Sequence, residues 1–213
     1  MDTTKSKYHE TLAATVIKNL EKRQMEGYYC PTVEDAEKLA FSFLKDGQTV
    51  SFGGSMTLEE TGMLTALRHD PSIHLIDRST AKTPDETKKM YHDALSSDVY
   101  FMSTNAITTG GELVNIDGTG NRVAALIYGP ETVVILAGMN KIAANVDEAL
   151  SRVHNVATAQ NCIRLDKKTP CAITGACADC LSPDCICNQV VITRRSGIKG
   201  RIKVLLIGES FGD

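Results

Sequence analysis

The chain has 213 residues, 42% hydrophobic and 23% charged, enough to bury one substantial core, and residues 1–213 read as a single domain. A formal net charge of -3 and a pI near 6.0 argue against a nucleic-acid partner, because binding to a phosphate backbone needs clustered Lys and Arg. The polar start, residues 1–7, lacks the apolar core of a signal peptide, and no stretch approaches the ~20 apolar residues that cross a bilayer, so no membrane span and a cytoplasmic location are expected. In that compartment seven cysteines read as thiols or metal ligands rather than as a disulfide framework.

Between residues 8 and 25, Leu12, Val16, Ile17 and Leu20 recur at helical spacing, which predicts an amphipathic helix. Thr32 precedes a second such pattern, Ala36, Leu39, Ala40 and Phe43, with Asp35 early and Gly47 placed to end it, so residues 1–47 read as N-terminal helices. The chain then alternates: strand at 49–52, helix at 58–67, strand at 73–76, helix at 85–95, strand at 99–102. Short, almost wholly apolar strands between amphipathic helices indicate an α/β fold whose mainly parallel sheet is covered on both faces, because each crossover helix buries one side. Residues 112–116 and 123–127 are β-prone and flank the turn-rich run Asp117-Gly118-Thr119-Gly120-Asn121-Arg122, which predicts an inserted β-hairpin. Residues 132–137 return as a buried strand, and Val146, Leu150, Val153 and Ala157 mark a further helix. A Cys-rich extension within the domain covers residues 162–200, and residues 202–207 form a last strand closing the sheet.

Three loops follow apolar strands, where ligands of open α/β sheets sit. In the first, Gly53 and Gly54 let backbone approach a ligand, while Ser55 and Thr57 add hydroxyls at a helix start, an arrangement suited to phosphate or carboxylate. Thr57 with Glu60 also fits a capping box, which needs no ligand. The second, residues 103–112, brings Asn105, Thr108, Gly110 and Glu112; if it lies beside the first, its groups converge on one crevice. Glu112 is the candidate catalytic base or nucleophile, or else the solvated start of a hairpin strand. In the third, Lys141 would neutralise an acidic substrate or sit in water near a helix start. The five histidines are scattered, with no spacing that suggests a triad or a metal pair.

Cys162, Cys171, Cys177, Cys180, Cys185 and Cys187 crowd into one short stretch, whereas Cys30 stands apart as a packing residue. Cys177 and Cys180 have the two-residue spacing that lets two thiolates chelate one ion, and Cys171 and Cys187 flank them to complete four. Such a set suits zinc or an iron–sulfur cluster, and spacing does not separate them from a group of reduced thiols. No nicotinamide or flavin motif is present.

Taken together, Gly53-Gly54-Ser55-x-Thr57, the block from Asn105-Ala106-Ile107-Thr108-x-Gly110 to Asp117-Gly118-x-Gly120-Asn121-Arg122-Val123-Ala124, Gly138-x-Asn140-Lys141-Ile142 and the Cys171-to-Cys187 pattern resemble the lactate-utilisation (LUD, protein C type) domain family. The resemblance implies a Rossmann-like three-layer sandwich, similar to the ribose-phosphate isomerase, glucosamine-phosphate deaminase and CoA-transferase group. It also implies a role in L-lactate oxidation alongside iron–sulfur partner proteins, with a small carboxylate or phosphorylated ligand at the Gly-rich loops. The family position held by Cys185 is often basic, which leaves Cys171, Cys177, Cys180 and Cys187 as the metal set. No clear motif matches the CoA-transferase glutamate, so Glu112 is a choice of position. Two alternatives stand beside this reading: a free-standing isomerase or acyl-CoA transferase-like enzyme, and a redox- or metal-dependent binding or regulatory module. Whether the chain is catalytic or accessory, and whether it forms a homo-oligomer, is left open.

Overall fold

The computed structural model describes residues 3–212. Its first helix, α1 (Thr3–Lys22), leads into β1 (Glu26–Cys30), α2 (Val33–Phe41) and β2 (Thr49–Phe52), followed by α3 (Met56–Glu60), α4 (Met63–His69), β3 (His74–Ile76), α5 (Pro84–Ala94) and β4 (Val99–Met102). Next come β5 (Ala106–Thr108), β6 (Leu113–Asp117), α6 (Asn121–Ile127), β7 (Thr132–Gly138) and β8 (Ile142–Ala143). The chain finishes with α7 (Val146–Arg152), a π-helical stretch (Val153–Thr158), α8 (Ala159–Arg164), α9 (Pro170–Thr174), β9 (Gln189–Thr193) and β10 (Ile202–Ile207). Six strands make one parallel sheet in the order β1-β10-β7-β4-β2-β3, and a smaller sheet has the order β8-β5-β6-β9.

Strand periodicity explains the layers. On β4, β7 and β10, Tyr100, Met102, Val133, Ile135, Val204 and Leu206 join one core with Ala13, Val16 and Leu20 of α1 and with Ala125 and Leu126 of α6. Their neighbours Val99, Phe101, Val134, Leu136, Leu205 and Ile207 point the other way, into a second core with Ala36 and Ala40 of α2 and Leu58, Met63, Leu64 and Leu67. Alternate residues of fully buried strands thus feed two cores, which is why the strands read as continuous apolar runs. The small sheet divides likewise: Ile107 and Leu113 enter the α1 core, while Ala106, Val114 and Ile116 pack on Ala149 and Val153.

Four local expectations change. The strand β1 was not foreseen, because Glu26-Gly27 is a poor strand signal; pairing with β10 along its whole length creates it, and Gly27 lets α1 close in, since a Cβ there would lie 2.9 Å from Ile17 Cγ1. β10 consequently lies inside the sheet rather than closing it. The helix expected at 58–67 is two helices, parted at Gly62, whose φ of +73° only glycine adopts readily. Residues 123–127 are helical, so the inserted hairpin is instead β5 with β6, antiparallel through Ala106↔Val114 and Ile107↔Leu113. Among the described residues no helix is long and apolar enough to cross a membrane.

Candidate functional site

β2 and β4 are parallel neighbours, with Phe52 opposite Phe101, and the loops leaving them lie side by side. Beyond those strand ends opens a cavity of about 590 Å³. Gly54, Ser55, Ser103, Thr104 and Asn105 line it from these loops, Lys141 enters from the end of β7, and Arg78, Arg122, Arg164 and Lys167 supply further cations. Its acidic lining residues are Glu59, Asp117 and Asp184. Two of these are already engaged: Asp117 accepts the N–H groups of Gly120, Arg122 and Val123 at 3.1 Å, and Asp184 accepts Lys168 N–H at 2.9 Å and lies 3.9 Å from Lys167. The remaining lining favours an anion.

Arg122 organises the floor. Its Nη1 donates to Ser103 O at 3.0 Å and to Asn115 Oδ1 at 2.6 Å, and its Nη2 donates to Asn105 Oδ1 at 2.9 Å and to Ile116 O at 2.7 Å. Burial pulls its pKa below the ordinary value, an effect opposed by nearby Asp117. Because Asn105 Oδ1 also accepts Ile116 N–H at 3.0 Å, its Nδ2 is the group with donors to spare for a ligand. Gly53 makes room for this arginine, as a Cβ there would sit 3.0 Å from Arg122 Cγ. Gly54 does the same for Arg78, whose Nη2 would lie 2.3 Å from an added Cβ. Arg78 is set by Tyr91, whose hydroxyl accepts its Nη1 at 3.2 Å and whose ring lies 5.6 Å beneath the guanidinium.

Lys141 is only 4% exposed, not solvated, and its Nζ donates to Thr57 Oγ1 at 2.9 Å and Ser103 Oγ at 3.2 Å, tying three strand-end loops together. Ser55, not Thr57, caps α3 by accepting Leu58 N–H at 3.3 Å, and Glu60 accepts Gly212 N–H from the C-terminal tail, so the capping box is absent. The same tail is held by Asn140 and Thr57.

Of the residues singled out in the sequence, Gly54, Ser55, Asn105 and Lys141 line the cavity, with Gly53 and Thr57 directly behind them. Thr108, Gly110 and Glu112 are outside it, in the β5–β6 hairpin. There the Glu112 carboxylate pairs with Arg23, in the turn just after α1, and accepts the Thr108 hydroxyl, while Arg23 also donates to Gly110 O at 2.6 Å. Glu112 is half-buried and turned away from the cavity; it fastens the hairpin to the turn that follows the first helix.

The cysteines after residue 160 gather near one another in smaller groups, while Cys30 stays apart. Cys162 and Cys171 are buried with Ala159 in a small core under Ile186. Cys177 turns its sulfur to His154 Nδ1 at 3.7 Å. The Cys185 and Cys187 sulfurs are 3.3 Å apart, and Cys185 lines the cavity. Burial, with the Cys185 hydrogen bond, pushes the Cys187 thiol up to about 12. Among the described residues no three His, Cys, Asp or Glu side chains converge as a metal site would require, although Cys162 is within electrostatic reach of Cys171 and Cys185, and Cys187 of Cys185, Cys162 and Cys177. Cys30 packs in the α2 core, as its isolation suggested.

A family profile described as the LUD domain matches residues 13–207. The chain belongs to the LUD-domain family. No curated protein matches it. Among solved structures, a DUF162 family protein from Deinococcus radiodurans aligns over 93% of this chain and 98% of its own at 10% identity and a TM-score of 0.52, a likeness of fold. Ribose 5-phosphate isomerase A from Neisseria gonorrhoeae aligns over 52% of each chain at 13% identity and a TM-score of 0.34. The eIF2B-beta2-delta2 complex from C. thermophilum aligns over 54% of this chain and 43% of its own at 18% identity and a TM-score of 0.37.

Sequence reasoning missed several lining residues of this LUD domain: Arg78, Tyr91, Arg122, Arg164 and Lys167. Arg122 had a signal, its place in the Asp117-to-Arg122 turn, but was read as part of a hairpin loop. The others lie on helix ends and loops with no local mark, and only the packing of those elements brings them to the strand ends.

Proposed function

We propose that this LUD-family protein is a component of lactate metabolism that binds a small carboxylate or phosphorylated metabolite in the strand-end cavity, working with iron–sulfur partner proteins in L-lactate oxidation. The observation that carries the binding reading is the lining itself: Arg78, Lys141, Arg164 and Lys167 around the backbone of Gly54 and the side chains of Ser55 and Asn105. Cations set among hydroxyl and amide donors recognise the oxygens of a carboxylate or phosphate. Family membership supports the metabolic setting.

Calorimetric titration of the full chain with L-lactate, inorganic phosphate and a hexose monophosphate tests the reading. At least one of these anions should bind, and Arg78→Gln or Arg164→Gln should weaken that binding by roughly tenfold, the loss of one charged contact. Absence of binding to all three, or affinities untouched by both substitutions, would refute it. The metabolic part is tested by reconstituting lactate oxidation with the partner proteins, with and without this chain: a rate that does not depend on it removes the proposed role.

A further inference from the structure

We infer that Cys185 and Cys187 form a redox-active dithiol in the wall of the anion cavity, closed to a disulfide by anionic low-molecular-mass disulfides. The two sulfurs lie 3.3 Å apart, so closing to a bond of roughly 2 Å requires only small side-chain rotations. Both flanks of the pair are anchored. Cys185 N–H donates to Ser182 O at 2.9 Å, Asp184 holds Lys168 N–H, and Asn188 Nδ2 donates to Gly118 O at 2.9 Å. The loop therefore presents the pair at one fixed place, with Ile186 packed on the Cys162 and Cys171 core below.

Access separates this pair from the buried thiols Cys30, Cys162 and Cys171, and the facing sulfur separates it from the half-buried Cys177 and Cys180. Cys162 and Cys171 are 1% and 6% exposed and sealed in that core. Cys177 is turned to His154. Cys185 alone among the cysteines lines the cavity, where Arg164 and Lys167 stand on the same wall and complement the carboxylates of a peptide-type disulfide. In the first step the Cys185 sulfur attacks one sulfur of the external disulfide, forming a mixed disulfide and releasing one small thiol that carries away the Cys185 proton. In the second and slower step, limited by the raised pKa of the Cys187 thiol, the Cys187 sulfur attacks that of Cys185, forming the internal bond and releasing the second small thiol with the Cys187 proton. The protein loses two electrons and two protons, and the external disulfide becomes two thiols. This chemistry uses Cys187 in a way that excludes its service as a standing ligand in a four-cysteine metal site.

The test equilibrates the reduced full chain with graded mixtures of reduced and oxidised glutathione, then counts maleimide-reactive thiols and maps bonds by peptide mass spectrometry. Two of the seven thiols should disappear together, before the rest, as a Cys185–Cys187 bond. Cys187→Ser should instead accumulate a glutathione adduct on Cys185, and Cys185→Ser should form neither product. Bonding between another pair overturns the inference, as do an unmodified Cys185 in a folded Cys187→Ser variant or about one bound zinc or iron per chain that shields both thiols. If the serine variants fail to fold, the bond map of the unmutated chain decides alone.

Discussion

Arg201 is 9% exposed, and its donors go to backbone carbonyls: Nε to Pro130 O at 2.9 Å, Nη1 to Leu126 O at 2.6 Å and Nη2 to Ala125 O at 2.8 Å. The guanidinium thus closes the last turn of α6 and joins it to the start of β10. Arg201→Met keeps the apolar stem and strands these acceptors, so urea unfolding should show a loss of about 2 kcal/mol. Asp77 gives the chain a pH dependence. Burial raises its pKa, but hydrogen bonds from Arg68 Nε and Ser79 N, both at 2.8 Å, outweigh burial and hold the carboxyl below its ordinary 3.8. A group whose folded pKa is depressed contributes fully above its unfolded value and loses that contribution as pH falls through the folded one. Asp77→Asn should therefore lower the urea midpoint at pH 7, and the difference should shrink as pH falls below the ordinary carboxylate range and through the depressed folded pKa, where the wild-type carboxyl takes up its own proton.

At the scale of elements, α6 shows how a local cap outvotes composition. Val123, Leu126 and Ile127 are apolar and suit a strand, yet Gly120 at φ +89° turns the chain and the Asp117 carboxylate gathers the N–H groups at the start of the helix. Helical spacing then buries Val123, Ala125 and Leu126 together. Asp117→Ala should cost about 1–2 kcal/mol by the same unfolding measurement. It should also weaken phosphate binding, because Arg122 starts the same helix. A drop in stability with unchanged binding would show that α6 does not position the cavity floor. The β5–β6 hairpin teaches the complementary lesson: Thr108, Gly110 and Glu112 look like a strand-end ligand loop, but the ion pair with Arg23, 89 residues away, assigns them to docking the turn after α1.

For the whole molecule, the strand-end cavity is the feature most sensitive to its surroundings. A ligand that binds only the folded state raises stability by mass action, about 2.7 kcal/mol at a hundredfold excess over Kd. Phosphate, or whichever anion the calorimetric titrations identify, should raise the melting temperature. That increment should shrink as sodium chloride goes from about 50 to about 500 mM, because the cations facing open solvent are screened. A shift indifferent to salt would point to binding by neutral donors rather than by Arg78, Arg164 and Lys167.

Much of this architecture is written locally. Short apolar runs separated by amphipathic helices dictate a parallel sheet with cores on both faces, because a strand buried on both sides must be apolar at every position, but the pairing of β2 with β4 that sets the residue 53–57 and 103–105 loops side by side is decided by the sheet, since β3 lies between them in the chain. Partner choice over long separations carries no such periodic mark. Packing alone sends Glu112 to Arg23, brings Arg78 and Arg164 to one cavity, and divides five of the six closely spaced cysteines among a small core, a histidine and a facing pair. Burial repeats with the period of a helix or strand and can be read along the chain; a charge or a thiol shows its use only when the folded backbone decides what stands next to it.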